Sequence, residues 1–389
     1  MRRAVGIASV SLLLLGAFLS ALVLTGEDRG RKFFASSPRD QPPQLIDEVR
    51  AELVGGYYRD VPSSVLAADT IDEVIEGLRD PYTDYLTPLE YGELRSRTAR
   101  SYSGVGMTVR RAKGGLLVKA ALDGPARHAG IRPGDLIVSI DGRRARKLPF
   151  DRSLELIKGR EGTVVRLQVR RARQRTLSFV LTRDEIETPA VGGRIVRARA
   201  KTVGYVELHA FRSGAADEVA RRVSALVRRG AKGLVLDLRG NPGGLLSEAV
   251  ATVSTFLDEG AVSATHGLHR GERVHHVNGT APFPRLPLVA LVDRKTASAA
   301  EIVAAALAEH KRARVVGQRT YGKAFVQSVR ALSNGGALKL TTGVFLTPTG
   351  RNLDRHGLTP QVRVADDPRT PLDEARRRAI AALLQQIAR

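Results

Sequence analysis

The spacing of hydrophobic and polar positions changes character along the chain, and each change marks a different kind of element. An uncharged run, Ala4–Thr25, follows Arg2 and Arg3 and is long enough, as a helix, to cross a ~30 Å hydrocarbon core. It exceeds the apolar core of a secretory signal, and Ala21-Leu22-Val23 lacks a small-x-small cleavage pattern. Residues 1–30 therefore read as an uncleaved single-pass membrane anchor; a cleaved leader would instead leave the protein secreted or periplasmic. Arg29, Arg31 and Lys32 compete with Arg2 and Arg3 over its orientation. Residues 31–43, containing Pro38, Pro42 and Pro43, read as a linker. Helical spacing then predicts Leu45–Tyr58, Val65–Leu78 and Tyr91–Ala99, with a turn-rich connection over Tyr82–Glu90, so residues 44–99 form a helical N-terminal segment.

From residue 100 to 184 the period becomes two. Strands are expected at Val105–Arg111, Leu116–Ala121, Leu136–Ile140, Val164–Arg170 and Thr176–Leu181, with short helices at Pro125–Ala129 and Asp151–Lys158. Beyond Pro189 helix and strand alternate. Strands are predicted at Val203–Leu208, Leu234–Leu238, Leu288–Val292 and Arg314–Val316, and helices at Ala215–Arg229, Leu245–Leu257 and Ser298–Glu309. A hairpin, Val326–Leu332 with Ala337–Val344, and an amphipathic helix Pro371–Ile387 complete residues 190–389. The fold class is α/β plus β: a membrane helix, a helical segment, a compact β-domain and a larger α/β core.

Composition narrows the chemistry. With no cysteine, disulfides, thiol catalysis and thiolate metal sites are excluded. The formal charge of +22 is spread through every segment, and 5% aromatic residues leave little for base stacking, so a basic surface is the reading and a nucleic-acid partner is not expected. No HExxH or clustered metal-ligand set is present, so neither metal nor cofactor is expected. Asn278-Gly279-Thr280 is a formal glycosylation sequon to which no role is assigned.

Four places could carry function, and each has an ordinary reading. Ser298 opens a helix after strand Leu288–Val292, beside free N–H groups and the positive end of the helix dipole, which suits attack on a carbonyl. Ser298-Ala299-Ala300-Glu301 is equally a capping box. Lys323, set among Tyr321, Ala324, Phe325 and Val326, could be a desolvated amine base or a surface lysine. Gly317–Ala324 fits G-x-x-x-x-G-K-S/T except that its last position is Ala324 and a strand follows, which argues against a phosphate loop. Asp237-Leu238-Arg239-Gly240-Asn241-Pro242-Gly243-Gly244 is a second strand-to-helix junction, able to aim backbone N–H groups at a ligand or merely to turn. Gly104-Val105-Gly106-Met107 could offer N–H groups to a peptide C-terminal carboxylate, or simply lead into a strand.

As a set, in this order, these segments resemble the carboxyl-terminal processing (tail-specific) family of serine peptidases. Asp80–Pro88, a PDZ-like domain over 100–184, the Asp237–Gly244 element, Thr296–Ile302 and Gly317–Gln327 are each similar to a segment of that family. The resemblance implies a crotonase-like β/α-spiral protease core over 190–389. It implies Ser298 as nucleophile, Lys323 as general base and Gln327 as support for the lysine, with an oxyanion hole from Ala299 and Gly243 or Gly244. It implies ATP-independent cleavage of extracytoplasmic proteins whose free C-terminal tails are held through Gly104, Val105, Gly106 and Met107. A proteolytically silent membrane-tethered adaptor built on the same PDZ-like domain is the alternative. Thr296, Ala300 and Ala324 depart from the family pattern, and Glu309 stands where many members have Asp.

Overall fold

The computed structural model describes residues 43–99, 101–171, 175–187, 190–364 and 372–388. The expected anchor Ala4–Thr25 and most of the linker lie outside them. Among the described residues no helix is long and apolar enough to cross a membrane. The described chain divides into two compact units, one made of residues up to Thr98 together with those from Ala190 onward, the other of residues 99–189.

In the first unit the chain begins with helices α1 (Pro43–Gly56), α2 (Ser63–Leu66) and α3 (Ile71–Gly77), then strand β1 (Asp84–Leu86) and helix α4 (Pro88–Thr98). The single helix expected over Val65–Leu78 is broken because Thr70 restarts the chain: its hydroxyl takes the Glu73 N–H while Glu73 takes the Thr70 N–H, each at 3.2 Å. Leu45, Val49 and Leu53 recur every fourth residue on α1 and are fully buried, as are Ile71 and Val74 on α3. They bury against Leu332, Leu338 and Leu340, nearly three hundred residues away in sequence. Consequently the N-terminal segment does not stand apart from the core. Its helices are too short to cover one another, and a distant hairpin supplies the other half of their apolar surface.

The second unit holds β2 (Ser101–Gly104), β3 (Met107–Ala112), β4 (Gly115–Ala121), α5 (Pro125–His128), β5 (Leu136–Ile140), β6 (Arg143–Arg144), α6 (Phe150–Ile157), β7 (Val164–Arg171), β8 (Arg175–Thr182) and β9 (Asp184–Glu187). Strands β3-β4-β5-β7-β8 form a sheet in that order, with β6 on β5; β2 pairs separately with β9. On β7, Val165, Leu167 and Val169 face the core while Arg166, Gln168 and Arg170 face out, the alternation expected of a half-buried strand. The Gly130–Asp135 turn is closed by Asp135, whose buried carboxylate receives the Arg171 guanidinium at 2.8 and 2.7 Å and the Arg132 N–H at 2.8 Å.

The first unit resumes with β10 (Val191–Ala198), β11 (Lys201–Leu208), α7 (Ala215–Arg228), β12 (Leu234–Asp237), α8 (Leu246–Ser254), β13 (Ala261–Gly267), β14 (Gly271–His276), β15 (Leu288–Val292), α9 (Ala299–Glu309), β16 (Arg314–Gly317), β17 (Phe325–Ala331), β18 (Ala337–Leu346), β19 (Val362–Arg363) and α10 (Glu374–Ile387). One sheet runs β10-β11-β12-β15-β16-β19, parallel from β11 onward. Both of its faces are covered. Leu234, Leu236, Leu288, Ala290 and Val292 pack with α7, α8 and α9, whereas Val235, Val289 and Leu291 pack with α10. That double burial is why β12 and β15 read as unbroken apolar runs. A second, antiparallel sheet orders β1-β18-β13-β14, with β17 also on β18.

Helix α10 is fastened at its first turn. Asp373 caps it by accepting the Arg376 N–H at 2.8 Å, and Arg239 grips the same carboxylate at 2.9 and 3.0 Å. Arg239 also bonds Asp237, which takes the Tyr205 hydroxyl at 2.5 Å. Asp373→Ala loses both cap and clamp and is expected to cost about 1–2 kcal/mol. Asp373→Asn, which keeps an acceptor for the cap, should cost less. Urea midpoints of the two variants check the order.

Candidate active site

Parallel strands β12 and β15 lie side by side, and the loops at their carboxyl ends are knitted into one structure. Asp293 begins the loop after β15, and its Oδ1 accepts N–H groups from Lys295 and Thr296 in its own loop and from Gly240 in the neighbouring one, at 2.9–3.0 Å. The Thr296 hydroxyl donates to the Leu238 carbonyl oxygen at 2.9 Å and accepts the Asp293 N–H at 3.0 Å. A hydroxyl is what that junction needs, and Thr296 supplies it. Asn241, fully buried, donates its side-chain N–H to the Leu208 carbonyl at 2.8 Å and receives the Ala297 N–H on its backbone carbonyl at 3.0 Å. The two loops at the carboxyl edge of this parallel sheet, the usual place for ligands in such sheets, are thus held as one structure.

Ser298 sits at the sharpest point of this construction, with φ 55 and ψ −123. A non-glycine residue held there stores on the order of 1–3 kcal/mol, a cost met by surrounding bonds and typical of a nucleophile perched between strand and helix. Close approach is possible because position 243 has no side chain: a Cβ on Gly243 would lie 2.8 Å from the Ser298 Cβ and 3.0 Å from the Ala299 nitrogen. The Ser298 N–H donates to the Glu301 side chain, one half of the expected capping box, and the Glu301 N–H donates to the Ser298 carbonyl at 2.8 Å. Of the expected oxyanion donors, Gly243 has its N–H committed to Asn241 Oδ1 at 2.8 Å. The N–H groups of Gly244 and Ala299 have no acceptor among the described residues.

Glu301 is the residue that sequence reasoning took only as a cap. It is fully buried on the first turn of α9. Its Oε2 accepts the N–H of Ser298 and the N–H of Lys323, both at 2.9 Å. Its Oε1 accepts the Gly322 N–H at 2.8 Å and the Thr320 hydroxyl. Ser298 and Lys323 therefore share one oxygen atom, and their nitrogens can be no farther apart than two hydrogen bonds allow. Burial pushes the Glu301 carboxyl up in pKa even against these donors. The Tyr321 N–H donates to the Thr296 carbonyl at 2.9 Å, a second tie between the two segments. Gly322 turns at φ 88 where a Cβ would meet the Gly357 nitrogen at 2.8 Å. The near-match to a phosphate loop fails physically as well as in pattern: strand β17 follows, and a carboxylate already holds the Gly322 and Lys323 N–H groups.

The Lys323 ammonium lies 4.9 Å from the centre of the Tyr82 ring. Burial, and secondarily the charge of Lys339, push its pKa down to about 8 against the pull of Asp80 and Glu301. Gln327 lies on β17 beside a bulge, and its Nε2 is buried without a hydrogen-bond partner among the described residues. Glu309, at the far end of α9 and roughly 16 Å along the helix axis, instead holds Arg351 at 2.6 Å and the Thr349 N–H at 2.9 Å. In the second unit, the carbonyls of Val105 and Gly106 are held by Ala126 and Leu122, each at 2.8 Å, while the N–H groups of Val105 and Gly106 have no acceptor among the described residues. Gly104 ends β2, and Met107 opens β3; Met107, Val109, Phe150 and Leu156 are each half-buried against the core of this unit.

Because Glu301 receives four donors and gives none, Glu301→Gln places an amide against N–H groups it cannot accept. The variant is expected to lose about 2 kcal/mol or more of stability, which urea denaturation of the two proteins checks.

Residues 202–364 match the sequence profile of peptidase family S41, and residues 118–171 match that of a PDZ domain. The carboxy-terminal processing protease CtpA of Bacillus subtilis (strain 168) is 30% identical over 353 residues, 88% of this chain and 73% of that protein. The carboxyl-terminal-processing protease of Synechocystis sp. is 35% identical over 295 residues, 75% of this chain and 69% of that protein. Among solved structures, a photosystem II D1 C-terminal processing protease is similar at a TM-score of 0.53 and 27% identity, over 86% of this chain and 95% of that one. With a PDZ unit ahead of this peptidase core and such relatives along most of its length, the chain belongs to peptidase family S41 as a serine peptidase of the carboxyl-terminal processing type.

Proposed function

We propose that the protein is an ATP-independent endopeptidase in which Ser298 is the nucleophile and Lys323 its general base. The observation that carries this reading is the shared Glu301 oxygen, which joins the strained backbone of Ser298 to the backbone of Lys323, whose amine burial makes easier to deprotonate. Neutral Lys323 takes the Ser298 hydroxyl proton as Oγ attacks the scissile carbonyl. The resulting oxyanion is received by the N–H groups of Ala299 and Gly244, at the positive end of α9. Lys323, now protonated, passes its proton to the departing amine, and water then releases the acyl group by the reverse sequence. The Gln327 Nε2 is a donor available to substrate once peptide fills the site.

The substrate class follows from the second unit. Unpaired N–H groups at Val105 and Gly106 suit a terminal carboxylate, the edge of β3 can pair with an extended tail, and half-buried Met107, Val109, Phe150 and Leu156 suit its apolar side chains. The apolar run Ala4–Thr25 supports attachment to a membrane, and an extracytoplasmic peptidase is part of the same proposal.

The purified full chain is expected to cleave an unfolded protein bearing a free apolar C-terminus. Ser298→Ala and Lys323→Ala should each lose about a thousandfold or more in kcat. Retained cleavage in either variant overturns the assignment. Because the base acts in its neutral form, kcat/KM should rise about tenfold per pH unit below pH 8 and level off above it. A profile still climbing as an ordinary lysine would require, to about 10.4, contradicts the buried-amine reading.

A further inference from the structure

The Asp80-Pro81-Tyr82-Thr83 turn belongs to the N-terminal segment, far in sequence from Ser298 and Lys323, yet it is built to hold one aromatic ring in place. Asp80 Oδ1 accepts the Tyr82 N–H at 2.9 Å, and Asp80 Oδ2 accepts the Thr83 hydroxyl at 2.7 Å and the Tyr57 hydroxyl at 3.2 Å. Thr83, almost fully buried, receives the Thr341 N–H from β18 at 3.1 Å, which fixes the turn to the hairpin carrying β17. The Tyr82 ring then packs at 5.2 Å on Phe325, two residues beyond Lys323, and Phe325 packs edge-on at 5.5 Å against Tyr58. Tyr58 is itself held through its N–H on the Thr341 carbonyl at 3.0 Å. The Lys323 ammonium lies 4.9 Å from the Tyr82 centroid.

Resting on the reading of Lys323 as the base, we infer that Tyr82 is a positioning residue for that amine: its ring keeps water from Nζ, fixes the amine's direction, and makes the N-terminal segment part of the active site. Two influences of a ring on an ammonium oppose each other. The ring's quadrupole favours the charged form, whereas exclusion of water disfavours it. The ring fills space beside an amine on which burial is the largest influence, so removing it, by admitting water, favours the charged form. The charged groups facing the amine are Lys339 from β18, Asp80 from the turn and Glu301 from α9, and none of them is altered by changing Tyr82. The phenol, pushed up to about 12 chiefly by burial, stays neutral wherever the enzyme works.

The test reads the amine directly as well as through activity. Trace acetylation of the full chain with acetic anhydride across pH, quantified at Lys323 by peptide mass spectrometry, gives the amine pKa whether or not the lysine is a base. In Tyr82→Ala that pKa should rise by about one unit, with the rising limb of kcat/KM moving by the same amount. Activity near pH 7 should then fall about tenfold and recover in more alkaline buffer. Tyr82→Phe, which retains the ring, should restore the wild-type amine pKa. Tyr82→Gln keeps most of the bulk but solvates the ammonium, and should shift the pKa upward even if the alanine variant folds poorly. An unshifted Lys323 amine in both Tyr82→Ala and Tyr82→Gln overturns the role of Tyr82 alone. An active Lys323→Ala enzyme overturns the base assignment and this inference with it.

Discussion

A carboxylate buried on the first turn of a helix must be solvated by the protein itself, and Glu301 is solvated by the very groups whose meeting makes the site. Its two oxygens are satisfied only when Ser298, Thr320, Gly322 and Lys323 are all in place. Removing any one donor strands charge in an apolar interior, and that penalty is what couples the loop after β15 to the loop after β16. The coupling also sustains the unfavourable backbone of Ser298, which no local feature of Thr296–Ala300 would hold by itself. Around this hub the remaining ties are graded outward: Asp293 and Thr296 fasten the neighbouring Asp237–Gly244 loop, and Arg239 fastens that loop in turn to α10.

The sequence predicted the repeating parts of this fold well because the sheet is covered on both faces. Leu288–Val292 is apolar at every position, as a doubly buried strand requires, and its ends coincide with the prediction. What it did not reveal follows from weaker patterns. Strand β10 contains Gly192 and Gly193 at the sheet edge, and β14 carries Glu272, Arg273 and two histidines with one exposed Val274, so neither shows clear alternation. Strand β1 lies in a stretch that reads as turns, and only its partner β18, some 250 residues on, makes it a strand.

Within the site, the positions of Ser298 and Lys323 were legible as segments, but the agent joining them was not. Ser-x-x-Glu is a capping box by pattern, and nothing local distinguishes a glutamate that caps one helix from one that also receives a distant loop. Tyr82 was hidden for the same reason, since an aromatic residue in a turn announces no partner in sequence. Gly243 and Gly244 were read as interchangeable donors, and only the Asn241 side chain, which claims the Gly243 N–H, separates them. Interactions that close over long sequence distances are those a local pattern cannot carry, and this active site is made mostly of them.

The most direct test of the account is covalent capture of the serine. With Lys323 as the base of Ser298, as proposed, a fluorophosphonate incubated with the full chain should modify Ser298 alone, as located by peptide mass spectrometry. The same reagent should leave Lys323→Ala essentially unlabelled while that variant remains folded. An adduct on another serine, or equal labelling of Ser298 without Lys323, would contradict the claim that the shared carboxylate assembles a working Ser–Lys pair.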